Sequence, residues 1–79
     1  MSDAPFDVVW SDDAQEDFDR LTFDEATAVA RAVGRFAMTG EGHMIPVGPS
    51  EYLLLVGSLA VVMLIPSGER IYVDRVRHA

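Results

Sequence analysis

Tyr52-Leu53-Leu54-Leu55-Val56-Gly57-Ser58-Leu59-Ala60-Val61-Val62-Met63-Leu64-Ile65 is a run of fourteen residues without a charge, and its reading decides the fold. As a helix it would reach about 21 Å at 1.5 Å per residue, short of the roughly 30 Å hydrocarbon core of a membrane. Its β-branched content and its central Gly57-Ser58 fit two strands joined by a tight glycine turn. In the first strand, alternation sets Tyr52, Leu54 and Val56 against Leu53 and Leu55. In the second, Leu59, Val61, Met63 and Ile65 oppose Ala60, Val62 and Leu64. Both faces are apolar, so this hairpin needs a cover on each side.

Working outward, Pro66-Ser67-Gly68-Glu69 reads as a turn into a final strand, Arg70–Val76. Upstream, residues 40–50 hold three glycines and two prolines, which predicts a loop with a short edge strand at Met44–Val47. Before it, Thr22-Phe23-Asp24-Glu25 has the spacing of a capping box. Ala26, Val29, Ala30, Val33, Phe36 and Ala37 then repeat at helical spacing until Gly40, predicting one helix over 22–39. Ser11-Asp12-Asp13 caps a shorter helix striped by Ala14, Phe18 and Leu21, and Phe6–Trp10 is a strand. The expected fold is a single α+β domain spanning residues 1–79. It has an N-terminal strand, a helix hairpin and a three-stranded antiparallel sheet with the helices on one face. Two short helices cover only that face. Leu53, Leu55, Val62 and Leu64 are therefore expected to form an apolar patch that a second copy or a partner strand or helix covers.

The chain has 79 residues, 49% of them hydrophobic and 24% charged, the profile of one small folded unit. It contains no cysteine, which excludes disulfides, thiolate metal sites and thiol nucleophiles. The start, Met1-Ser2-Asp3-Ala4-Pro5, lacks the basic and apolar run of an export signal, and a cytoplasmic protein is expected. Net charge is −7. Residues 1–25 carry nine acids against one arginine, a net of −8, while residues 26–79 carry five arginines against four acids, a net of +1. That balance repels phosphate and disfavours general nucleic-acid binding. The acids of residues 12–19 do not follow the order of a calcium loop, and His43 and His78 have no partner at ligand spacing, so no metal and no cofactor is expected. Ser58 lacks the second glycine of a nucleophile elbow and reads as a turn residue. Positive charge gathers only at the C-terminal end, on Arg70, Arg75, Arg77 and His78, where a phosphate or carboxylate could dock.

The order of elements, with Val8-Val9-Trp10-Ser11 ahead of Ala14, the run from Tyr52 to Val62, and the ending Arg75-Val76-Arg77-His78, resembles the RelE/ParE toxins of bacterial toxin-antitoxin systems over nearly the whole chain. The resemblance implies helices on one face of an antiparallel sheet and a cytoplasmic protein held inactive by an antitoxin peptide. In nuclease members of that family, basic side chains on the open sheet face bind mRNA on the ribosome; the gyrase-directed members lack that chemistry. Nuclease members usually carry arginines in the stretch matching Leu53, Leu55 and Ala60, and often an arginine where this chain has Ala79. RNA cleavage also needs groups that hold phosphate and move protons, and the chain offers no lysine and two separate histidines. Tyr72, Arg75, Arg77 and His78 are the remaining catalytic candidates. The expectation is a divergent toxin-fold protein that binds protein, as an antitoxin-bound toxin or as a homodimer, with no role for RNA or the ribosome. The alternative is a ribosome-dependent mRNA endoribonuclease.

Overall fold

The computed structural model describes residues 6–66 and 70–79. The chain runs through β1 (Asp7–Trp10), α1 (Asp12–Asp19), α2 (Phe23–Thr39), β2 (His43–Pro46), β3 (Glu51–Val56), β4 (Leu59–Leu64) and β5 (Arg70–His78). Both helices start where their caps predict. The Ser11 hydroxyl accepts the Ala14 amide. At α2 the capping box is complete, because Thr22 Oγ1 accepts the Glu25 amide and Glu25 Oε1 accepts the Thr22 amide. Gly40 ends α2 in the left-handed conformation at φ 75°, which costs glycine nothing.

The sheet is larger than the sequence predicts. It has five strands in the order β1-β5-β4-β3-β2, not three. β2, β3, β4 and β5 pair antiparallel, whereas β1 pairs parallel with β5, joining Asp7 to Arg70 and Trp10 to Val73. The N-terminal strand is thus part of the sheet, and the loop segment forms its far edge one residue earlier than expected. The hairpin over the decisive run is as expected, with Gly57 at φ 60° opening its turn. Of the turn expected at Pro66–Glu69, residues 67–69 lie outside the described residues.

One face of the sheet carries the core. Leu54, Val61, Met63, Ile71 and Val73 are buried against Val29, Val33 and Phe36 of α2 and Ala14 of α1. Phe18 and Leu21 complete the α1 stripe, and Trp10 meets Phe18 edge-on with ring centroids 5.3 Å apart. The predicted stripe of α2 needs one correction. Ala30 is exposed, because the buried arc narrows to Val29, Val33, Phe36 and Ala37 and leaves Ala30 at its margin.

A register step between Val62 and Met63 inserts one extra residue, Asp74, into β5. Before the step Ile71 and Val73 point into the core; after it Val76 does, three positions on instead of two. Ser11 pins the step, its amide donating to the Val73 carbonyl at 3.0 Å and its hydroxyl to the Asp74 carbonyl at 2.9 Å.

Candidate functional site

The face of the sheet away from the helices is built from cross-strand rows. The first row is His43, Leu55, Ala60 and Arg77; the second is Ile45, Leu53, Val62 and Arg75; the third holds Glu51, Leu64, Tyr72 and Val9. Its middle is aliphatic. Val9, Ile45, Leu64 and Tyr72 are between 37% and 42% exposed, a large apolar surface for so small a sheet. Of the four residues expected to form the patch, Leu64 is the most exposed and Leu53 and Leu55 are half-buried. Val62 is only 7% exposed already in the single chain. It lies in mid-sheet between Leu53 and Arg75, so it lines the floor of the patch and not its surface.

The four catalytic candidates do not converge. The step at Asp74 turns Arg75 and Arg77 to the open face, opposite Val62 and Ala60, and leaves His78 to the helix side. There His78 Nε2 lies 3.4 Å from Glu25 Oε2. The carboxyl of Glu25 is held below its ordinary value, first by the Thr22 amide, with help from the Thr22 and His78 side chains against partial desolvation. Tyr72 sits one row further along, opposite Leu64. Among the described residues, Arg77 has no ion-pair partner.

Arg75 is committed elsewhere. Its guanidinium folds round the β5 edge to Asp17 of α1, with Nε donating to Oδ2 at 2.8 Å and Nη2 to Oδ1 at 3.2 Å. The same Oδ2 accepts the Val76 amide at 3.0 Å. Asp17 therefore caps the stretch of β5 that β1 is too short to pair. Its carboxyl is held below the ordinary 3.8 mainly by the Arg75 hydrogen bonds, then by the Val76 amide, against desolvation. The Asp17→Ala variant should lose about 1–3 kcal/mol from the orphaned Val76 amide alone, read by chemical denaturation. Because the folded carboxyl titrates below the unfolded one, its contribution is complete above the unfolded value and fades as pH falls through the folded value. Acid titration should show a steeper stability loss for the wild type than for Asp17→Asn.

The sheet is blunted where β5 runs past β1 and along part of β2. At the β5 side, Ser11 and Asp17 occupy the backbone groups beyond β1. At the β2 side, the Val47 amide donates inward to Glu51, so by alternation the backbone groups of Met44 and Pro46 point away from β3, and Pro46 has no N–H to offer an incoming strand.

No family model and no curated protein matches the sequence. Solved structures do. The RelBE2 toxin-antitoxin complex of Mycobacterium tuberculosis superposes with a TM-score of 0.79 at 19% identity, covering 95% of this chain and 99% of that one. The RelB-RelE antitoxin-toxin complex of Methanococcus jannaschii gives 0.74 at 10% identity, over 89% of this chain and 88% of that one. The chromosomal ParDE system of P. aeruginosa gives 0.70 at 12% identity, over 95% and 97%. The chain has a RelE/ParE-like fold. On that fold, this chain presents an aliphatic open sheet face with charge only at its rims. The step at Asp74 is the feature that sequence reasoning missed, and the signal was faint: an aspartate interrupting the alternation Ile71, Val73 before Val76. Among the described residues no helix is long and apolar enough to cross a membrane, and no group of three His, Asp or Glu side chains could hold a metal ion.

Proposed function

We propose that this RelE/ParE-fold protein acts in the cytoplasm by binding protein and not by cleaving RNA. The observation that carries the reading is the composition of the open face: Ile45, Leu53, Leu55, Ala60, Val62 and Leu64 fill its middle, and the cation nearest that middle, Arg75, is neutralised by Asp17. Such a surface favours apolar side chains over a phosphate backbone. The partner is an antitoxin segment laid over Leu53, Leu55 and Leu64, with Val62 beneath. The three similar structures named above, each of a toxin-antitoxin system, support this choice. Pro46 on β2 and the caps on β5 beyond β1 favour contact through the face over strand addition at those stretches.

The endoribonuclease reading keeps one point in its favour: Tyr72 and the unpaired Arg77 share the open face. Among the described residues no proton-transfer partner lies beside them, and His78 is on the helix side with Glu25. Added to a translation extract, the purified protein should leave mRNA intact by primer extension, and alanine at Arg75, Arg77 and His78 together should change nothing. Codon-specific cleavage that the triple variant loses would establish the endoribonuclease instead.

A further inference from the structure

Away from the sheet, α2 carries Phe23, Thr27, Ala30, Gly34 and Met38, spaced i, i+4, i+7, i+11 and i+15 and so gathered on one side of the helix. Phe23 is 84% exposed and Met38 51%. Gly34 stands in the middle of the helix, where a Cβ would meet no atom within 4 Å. A mid-helix glycine costs stability relative to alanine, and the chain's own packing does not require one there.

We infer that α2 is a homodimer interface, packed antiparallel on the α2 of a second copy about a twofold axis beside Ala30. With the axis there, Phe23 meets the partner's Met38 and Thr27 meets the partner's Gly34. Bulky contacts thus close both ends, while small side chains let the backbones approach in the middle. The flanking charges match in the same register. Asp24 falls across from the partner's Arg35, which in the single chain has only a loose, exposed pairing with Glu41 at 3.9 Å. Arg31 lies beside the axis near the partner's own Arg31, with its long side chain directed to solvent. A twofold interface requires this self-complementarity of one surface, and an unrelated partner does not. Seventeen residues make a contact line about 25 Å long. One helix pair is small beside typical specific interfaces, so the association is expected in the micromolar range. The open sheet face stays free, because it lies on the other side of the molecule.

The absence of cysteine makes the test direct. Ala30→Cys, at an exposed helical position, should form a disulfide-linked dimer under mild oxidation at micromolar concentration, while Leu55→Cys on the sheet face should not. Light scattering over a concentration series should show a wild-type monomer–dimer equilibrium that Gly34→Arg weakens by roughly 30-fold or more, the weight of an interface hot spot. A wild type that stays monomeric at high micromolar concentration would overturn the inference, as would a dimer indifferent to Gly34→Arg or linked through Leu55→Cys and not Ala30→Cys. Should Gly34→Arg lose its helical circular dichroism, the cysteine pair decides. Loss of antitoxin binding with the dimer intact would fault only the proposed function.

Discussion

Val33→Asp should leave the chain without a cooperative fold. Val33 is 3% exposed at the centre of the α2 stripe, with no buried polar residue nearby to receive a carboxylate. The substitution removes a buried aliphatic side chain, worth about 1.5–3 kcal/mol, and puts in its place a charge that must be desolvated or protonated. A total above about 4 kcal/mol approaches the whole stability of a domain this small. The helix itself tolerates aspartate poorly but not fatally, so Ala28→Asp, on the exposed side of the same helix, is the control. Thermal melting by far-UV circular dichroism should show a sharp transition for the control and none for Val33→Asp. A wild-type melting profile in Val33→Asp would mean that α2 does not pack as described.

The second large effect is expected at the open face. Leu55→Lys with Leu64→Lys should abolish binding of the proposed antitoxin partner, while the melting temperature stays near that of the wild type. Each leucine contributes roughly 1.5–3 kcal/mol when a partner buries it, and each lysine adds the cost of desolvating an ammonium. The loss should therefore exceed about two orders of magnitude in affinity. Val62 is left unchanged because it is already buried, and lysine there would unfold the sheet as well as alter its surface. Titration calorimetry with the purified partner checks the result. Unchanged affinity in the double variant would place the partner elsewhere on the molecule.

Local chemistry was legible in the sequence. The capping box at Thr22, the left-handed Gly40 and the hairpin turn at Gly57 each rest on a few neighbouring residues, and each forms where those residues predict. The apolar open face was legible for the same reason, since strict alternation over Tyr52–Ile65 places side chains without knowledge of the rest. Long-range pairing was not. Nothing in Asp7–Trp10 announces that it will lie parallel to a strand more than sixty residues later, nor that Ser11 will hold two carbonyls of that strand. That contact fixes the step at Asp74, and the step decides which side each residue takes: Arg75 and Arg77 join Tyr72 on the open face, and His78 goes to the helix side. Four residues that look like one basic cluster on paper thus divide between two sides of the sheet. The pairing of Arg75 with Asp17 was hidden likewise, because α1 reaches the β5 edge only once β1 has been placed.

The strand order also sets a timetable for synthesis. β5 leaves the ribosome after the other four described strands, yet it lies between β1 and β4. Until it emerges, β1 has no neighbour to pair with, and the hairpin of β3 and β4 carries an open edge. The nascent chain can form α2 and that hairpin early, since their contacts are local, but the sheet closes only when the two ends of the described chain meet. An incomplete chain therefore exposes the unpaired β4 edge beside the apolar run of the hairpin, a template for aggregation or a substrate for proteolysis. Synthesis that stalls before β5 should yield material that is cleared, leaving only chains that include β5 to present the open face.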